Sequence, residues 1–571
     1  MPPLDHPAAQ ALPASADALD TALRALDAAK HRWARTELAA RIDMLRRMKE
    51  CLMPQAAAWA RTAAQRKGIA TGSPLAGEEW LSGPYACMAA LNLYIETLGA
   101  QPGKAYLRTL SQRNLPNGQL AVTVFPHTLF ERLLASGVRA EVWMEPGVTG
   151  ANLADHTGQA YRASASSRQG KVALVLGAGN VSAIAPLDVL YQLLVEHQVC
   201  ILKLNPVNDY MLPFFTAMLQ PAIDLDALRI VTGGADVGRI LSEHALVETI
   251  HITGSEAVHD AIVWGSGDEA RLRKASGTPR NPRPVDSELG AITPTIVVPG
   301  PWSQADLQFH AEAVVTQKLQ NSGFNCASAQ VLLTSSGWEL GPRFEQCVKQ
   351  VLRDAPQRAA YYPGAAERLR EVRQRYPQSE VVSDSTLAGE RLFVPLAADA
   401  ADRHFFDNEV FGPALASVHL KGSGAADFLR EAIGFANTQL RGTLSANIII
   451  HPHTLAELGP DFDRLLLDLK YGAIGVNVWA AYAFLLASAT WGAFPGHTLE
   501  DVQSGRGVVH NAFMFDRPQR SVVRGPFRPH PKPPWFVTHR KADQLGPKLT
   551  DLEYRPSLLK LPGILWTAIG G

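Results

Sequence analysis

KVALVLGAGN (171–180), VSAIAPLDVLYQLLVEH (181–197) and QVCILKLNP (198–206) follow one another without a gap, and together they set the fold class. The first is a continuous apolar run closed by a Gly-rich turn, the pattern of a strand buried on both faces. The second carries apolar residues at helical spacing, and the third is again a short apolar run. Strand, helix, strand at this length is a βαβ unit. The alternation continues through helix MLPFFTAMLQPAI (211–223), strand LRIVTGG (228–234), helix VGRILSEH (237–244), strand VETIHITGS (247–255) and helix EAVHDAIVWG (256–265). Such a run predicts a doubly wound parallel sheet, which binds ligands beyond the carboxyl ends of its strands.

On either side the pattern changes. Leu19, Leu23, Leu26, then Leu38, Ile42 and Leu45 repeat at helical spacing with Arg and Asp opposite, so the first hundred or so residues read as helix, with Ser15 as an N-cap. GQLAVTVFP and VRAEVWMEPG alternate like strands around the short helix HTLFERLLASG. A second α/β region begins near Ala291, with strands TPTIVV, AQVLLTS and SANIIIH, the segment FFDNEVFGPALASVHL, and helices DLQFHAEAVVTQKLQNS and AADFLREAIGFANT. Past Arg520, RPQRSVVRGPFRPHPKPPWF is dense in Pro and Arg and reads as a wrapping arm, with SLLKLPGILWTAIGG apolar enough to dock on a surface. The expected division is a helical part at 1–115, a strand ribbon at 116–150, a dinucleotide-binding domain at 151–288 and a catalytic α/β domain at 289–490. A late glycine-rich return segment at 491–520 and a C-terminal arm at 521–571 complete it.

Bulk composition bounds the function. The 571 residues carry 54 Lys plus Arg and 54 Asp plus Glu, so no basic excess exists to hold a nucleic acid. Five cysteines, an odd number without paired spacing, point to a reducing compartment and a cytoplasmic location. The N-terminus MPPLDHPAAQALPASADALD lacks the basic region of a secretory signal. GAIGVNVWAAYAFLLASATWGAFPG (472–496) has no charge, but its strand-like start and Gly/Pro end read as buried core and loop near an active site, with no membrane insertion expected.

Cys326 stands apart from the other cysteines. It follows Asn321, Gly323 and Asn325 in NSGFNCASAQ (321–330), residues that turn the chain and offer amide donors; this is the setting of a displayed thiol. Cys51, Cys87, Cys200 and Cys347 sit in helical or apolar company, as packing thiols do. GAGN (177–180) is either a partial dinucleotide fingerprint or a tight strand-to-helix turn, and it puts the Asn180 amide where it can face a ligand. ITGS (252–255) ends a strand at a helix N-terminus, where free N–H groups suit a pyrophosphate. Lys203 is a solvated strand end or a ribose ligand. Glu288 in SELGAITPTIVV and Glu409 in NEVFGPAL sit in apolar company, either tied to partners or raised in pKa to serve as a base.

In order and spacing, GAGN, ILKLNP, VTGG…VGRIL, IHITGS, SELG, NSGFNC, NEVFGPAL and the late FPGHTLEDVQSGRG resemble the aldehyde dehydrogenase superfamily from about residue 20 to about 515. The resemblance implies a Rossmann-type cofactor domain, a second α/β catalytic domain and a small oligomerisation ribbon. It implies Cys326 as the nucleophile toward a small-molecule aldehyde, Asn180 and the Cys326 N–H as the oxyanion hole, and Glu288 as the base that activates water. It also implies a cofactor set of Lys203, Gly254, Ser255, Leu289, Glu409 and Phe411 for NAD or NADP, with no metal. A homodimer or homotetramer is expected, because a two-stranded ribbon is marginal alone.

The chain departs from the family pattern in places. Gly177, Ala178 and Gly179 replace an aromatic–proline turn before Asn180. Phe324 stands where glutamine is common, and Pro206 where many NAD-preferring members place a ribose-binding glutamate, which leaves NADP open. Alternatives are an acylating enzyme, with CoA in place of water or with acyl-CoA reduced, and a non-catalytic scaffold that keeps the fold. Glu288 argues against the first, and the intact constellation against the second.

Overall fold

A computed structural model of the chain describes residues 15–383 and 389–571. The N-terminal segment examined for a secretory signal lies largely outside the described residues. Two sheets organise everything else. The smaller has six strands in the order Gly505–Arg506, Val285–Leu289, Thr249–Gly254, Val172–Leu176, Val199–Lys203, Leu228–Val231. All but the first are parallel. The chain enters at Val172–Leu176, winds outward to Leu228–Val231, then crosses to Thr249–Gly254 on the other side. That reversal makes the crevice at the carboxyl ends of Val172–Leu176 and Thr249–Gly254 the ligand position.

The strand Val285–Leu289 runs across the expected domain boundary at 288/289. Glu288 lies inside it, in register with Thr253 of one neighbour and Gly505 of the other. The late glycine-rich loop therefore closes the sheet at its edge. Gly505, at φ +113°, lets that loop lie against the Ser287 carbonyl, where a Cβ would collide.

The helices before residue 100 pack over this sheet, beginning with Ala16–Ala34, whose cap is Ser15 accepting from the Ala18 N–H at 3.3 Å. The apolar stripe is buried as its spacing predicts, with Leu19, Leu23, Leu26 and Leu45 at 1% exposure or less. Arg41 breaks the pattern of arginines facing water. It is fully buried, and its guanidinium donates to the carbonyls of Trp33, Ala34, Thr36 and Leu193 at 2.9–3.2 Å, which is how a buried cation is tolerated.

The larger sheet has eleven strands. Its parallel centre, Ala473–Val476, Ser445–Ile449, Thr293–Val297, Ala329–Ser335, Ala414–Leu420 and Leu392–Leu396, is the second α/β region. The ribbon strands Leu120–Phe125 and Arg139–Met144 belong to the same sheet, joined to it by Pro518–Arg524. That strand runs parallel to Ala473–Val476 and antiparallel to Arg139–Met144. The expected boundary at 520/521 thus cuts a strand, and the start of the Pro- and Arg-rich stretch is sheet. Proline at a strand's first residue removes little from the ladder. Arg520 is buried, donating to the carbonyls of Leu466, Leu467 and Leu469. The two-stranded ribbon is not alone: within the chain it continues the large sheet through Pro518–Arg524.

Among the described residues no helix is long and apolar enough to cross a membrane. The uncharged stretch 472–496 forms the Ala473–Val476 strand, the short helix Tyr482–Leu485 and the loops around them. All five cysteines are free.

Candidate active site

Helix Gln304–Leu319 delivers the chain into a tight turn over Gln320–Gly323, and Cys326 follows, half-buried. The turn is strained where the sequence is small and polar: Asn321 and Ser322 have φ of +54° and +58°, and Gly323 has +80°. Gly323 packs on the Gly412 backbone, closer than any Cβ would permit, so NSGFNC and NEVFGPAL meet directly.

Asn180 is brought to the same place from the other sheet. One N–H of its side-chain amide donates to the Phe324 carbonyl at 2.9 Å. The Asn180 backbone carbonyl accepts from Lys67 Nζ at 2.9 Å, Asn321 Nδ2 at 3.0 Å and the Tyr361 hydroxyl at 3.2 Å. Lys67 is fully buried and paired with Glu79 at 2.9 Å, while Glu78 pairs with Arg358 and accepts from the Asn321 N–H at 3.0 Å. A buried ionic framework therefore fixes both Asn180 and the turn that leads into Cys326. The two glycines of GAGN serve packing: a Cβ on Gly177 would lie 2.9 Å from Ala185 Cβ, and one on Gly179 2.7 Å from the Asn205 side chain. Both glycines are thus needed for the tight turn, and Gly177 also lines the cleft at the carboxyl ends of the small sheet.

Glu288 faces Cys326. Its carboxylate is 1% exposed with neither oxygen in a close hydrogen bond, and burial lifts its pKa to about 7. The Trp491 indole, the Cys326 thiol and His251 pull it down, and Asp188 pushes it up. Burial, then the Glu288 and Glu409 carboxylates, push the Cys326 thiol well above its usual range, with the Ala327 N–H opposing. Glu409 lies against Gly290, where a Cβ would collide with its Oε2, so SELG and NEVFGP also converge. Burial raises Glu409 to about 8 against the pull of Lys318 and Arg368.

The residues missing from the family pattern have packing partners. Phe324 is fully buried against Tyr361, Tyr362 and Phe411, with ring centroids 5.1–5.5 Å apart. An aromatic wall thus stands where glutamine is common. Phe411 is in that wall, next to Glu409.

Lys203, Gly254, Thr253 and Gly177 line a cleft of about 800 Å³ at the carboxyl ends of the small sheet. Ser255 is the N-cap of helix Glu256–Val263, accepting from the Val258 N–H at 3.3 Å, and is exposed. The Lys203 ammonium makes no hydrogen bond among the described residues, and Pro206 forms part of the wall beside it. These features fit an extended dinucleotide: an open trough, a free cation and a helix N-terminus at the topological switch. Of the expected cofactor residues, Lys203 and Gly254 line this cleft, whereas Ser255, Glu409, Phe411 and Leu289 do not; Leu289 is buried and its N–H donates to the Ser504 carbonyl at 2.9 Å.

Cys326 opens into a small apolar vestibule walled by Leu81, Val181, Ile184, Trp479, Trp491 and Trp535, among others. None of the tryptophans was singled out in the sequence, because each arrives from a segment distant from Cys326. Only Trp479 and Trp491 carried a hint, lying within the uncharged stretch read as loop near an active site.

Comparison with known proteins gives the same picture. Residues 180–479 match the model of the aldehyde dehydrogenase family. A stretch of 136 residues is 29% identical to the alpha-ketoglutaric semialdehyde dehydrogenase of Bacillus subtilis, spanning 24% of this chain and 24% of that relative's length. The fold is shared with an NAD-dependent aldehyde dehydrogenase from Sinorhizobium meliloti (TM-score 0.56, 17% identity, covering 90% of this chain and 87% of the other). It is shared too with the NADP-dependent glyceraldehyde-3-phosphate dehydrogenase of Bacillus halodurans complexed with NADP (TM-score 0.55, 16% identity, 89% and 91%). With more than half its residues matched in order, the chain belongs to the aldehyde dehydrogenase family.

Proposed function

We propose that the protein oxidises an aldehyde to a carboxylic acid with NAD or NADP, through a thioester on Cys326. The observation that carries this reading is the buried Glu288 carboxylate, raised by burial to a pKa of about 7 and close enough to the Cys326 thiol for each group to shift the other. A base of that strength beside a thioester favours water over CoA as the acyl acceptor.

The steps follow from the chain's own groups. Glu288 takes the Cys326 proton as the sulfur adds to the carbonyl carbon, which relieves the repulsion that holds the thiol protonated. The free N–H of Asn180 and the Cys326 backbone N–H receive the developing oxyanion. When bound, the nicotinamide supplies the hydride acceptor. Once the thioester has formed, Glu288 gives up the Cys326 proton to solvent, then takes a proton from water as hydroxide adds to the acyl carbon, and the Cys326 thiolate leaves with its electron pair. Lys203, Gly254 and Ser255 would hold the adenosine and pyrophosphate, and Glu409, beside Phe411, the nicotinamide ribose. Leu289 would contribute through its position beneath Gly290. Pro206 supplies no carboxylate to repel a 2′-phosphate, which is compatible with NADP.

The test is formation of reduced nicotinamide, followed by absorbance, over a panel of aldehydes with and without CoA. Turnover without CoA is expected. Strict dependence on CoA would replace this reading with the acylating one.

A further inference from the structure

The segment after Pro518–Arg524 is tied along the helix that carries the nucleophile turn. Arg528 pairs with Asp306 at 3.2 Å and Lys532 with Glu312 at 3.0 Å. The Thr538 hydroxyl donates to Glu312 at 2.7 Å, and the Val537 N–H donates to Thr316 Oγ1 at 3.2 Å. All these partners lie on Gln304–Leu319. Farther on, helix Ala542–Tyr554 is seated on Gly77–Trp80; a Cβ on Gly546 would stand 2.5 Å from Trp80 Cβ. The single ion pairs are worth little. Together with the seated helix they fix the backbone on both sides of Trp535.

Trp535 stands between two apolar cavities of about 50 Å³ each. One is the Cys326 vestibule. The other lies beneath the arm, among Phe309, Ile449, Val478, Pro526, Pro533 and Phe536. Trp479 and Trp535 are walls of both. They are not equivalent: the Trp479 indole N–H donates to the Ala327 carbonyl at 2.9 Å, next to the nucleophile. Trp535 makes no side-chain hydrogen bond among the described residues and rests on Tyr482, with ring centroids 4.7 Å apart. Of the two, Trp535 is the wall free to turn. Neither cavity has a Lys, Arg, Asp or Glu in its lining, so a charged substituent would be buried there without a countercharge.

We propose that Trp535 of the C-terminal arm is a specificity-determining residue, and that the substrate is an uncharged aldehyde whose apolar tail passes it into the second cavity. This rests on the aldehyde-oxidation reading above. The vestibule alone has room for only a few non-hydrogen atoms, so chain length beyond that must be accommodated past the indole.

The experiment compares propanal, octanal and succinic semialdehyde as substrates of the full-length protein, of Trp535→Ala and of Trp535→Phe. Each buried methylene is worth about 0.8 kcal/mol, or roughly fourfold in kcat/KM. Wild type should prefer octanal to propanal and use succinic semialdehyde poorly. Trp535→Ala should lower KM for octanal about tenfold with propanal within about twofold, and Trp535→Phe should fall between. A preference of wild type for the semialdehyde, or equal KM shifts for propanal and octanal in Trp535→Ala, overturns the proposal. Octanamide binding, measured by calorimetry, needs no turnover. It should tighten in Trp535→Ala, and unchanged binding also overturns the proposal. A wild type that oxidises no aldehyde, while octanamide binds and responds to Trp535, would sink the activity reading and leave the arm's role standing. Should Trp535→Ala melt well below wild type, Trp535→Phe carries the comparison.

Discussion

The side-chain amide of Asn180 donates to the Phe324 carbonyl at 2.9 Å, across 144 residues of sequence and between the two sheets. The same amide retains a second N–H for an oxyanion. Asn180→Ala should therefore lower kcat by a hundredfold or more, the value of one oxyanion donor at roughly 3 kcal/mol. Cofactor binding, followed by fluorescence quenching, should change by less than about threefold. A loss confined to cofactor affinity would return Asn180 to the turn and remove it from the chemistry.

Gly290 and Glu409 make a second such pair. A methyl group on Gly290 would collide with the end of the Glu409 side chain, which is flexible and able to swing aside. Gly290→Ala should thus cost little stability, within about 1 kcal/mol, yet displace the carboxylate proposed to hold the nicotinamide ribose. The expected result is a KM for the cofactor raised about tenfold in both Gly290→Ala and Glu409→Gln, with thermal midpoints near wild type. A large loss of stability in Gly290→Ala with an unchanged cofactor KM would separate Glu409 from cofactor binding.

These pairs show what was legible in the sequence. Val172–Leu176, Val199–Lys203 and Thr249–Gly254 are unbroken apolar runs, because strands buried on both faces leave no other pattern. Val285–Leu289 escaped, since VDSEL mixes an exposed Asp with Ser and Glu residues that are buried in the strand. Pro518–Arg524 escaped for a related reason: Arg520 looks like solvent but ends on three carbonyls. The turn before Cys326 was legible because small polar residues are needed locally at positive φ. The Lys67–Glu79 pair and Trp535 were not, because their roles depend on partners hundreds of residues away. Local patterns carry local constraints, and the vestibule is assembled from distant ones.

The five cysteines permit a clean separation of chemistry from packing. Cys87 and Cys200 are fully buried, and burial pushes both thiols far up, so they are inert at neutral pH. Cys200→Ala should cost about 1–2 kcal/mol through lost packing and leave turnover intact. Cys326→Ala should abolish turnover while cofactor still binds. Substantial turnover in Cys326→Ala would end the thioester mechanism.

The sharpest prediction concerns Glu288, because its burial sets both a pH profile and a stability cost. Its pKa rises in the folded protein from an ordinary 4.5 to about 7, so the fold prefers the neutral carboxyl. The folded state therefore binds more protons than the unfolded chain between about pH 4.5 and 7, and the Glu288 contribution to stability falls as pH rises through that window. Above pH 7 the charged form costs roughly 3 kcal/mol relative to an unperturbed carboxylate. Glu288→Gln, which keeps shape and cannot ionise, should be more stable than wild type at pH 8 and nearly equal to it at pH 4.5, measured by urea denaturation. Catalysis should show the opposite dependence. A base must be deprotonated, so wild-type turnover should rise through an apparent pKa near 7. In Glu288→Gln the first hydride transfer should persist with slower acylation, giving one burst of reduced cofactor per site and then slow release. Steady-state turnover at a tenth of wild type or better, without CoA and with the acid limb intact, would mean that another group activates the water.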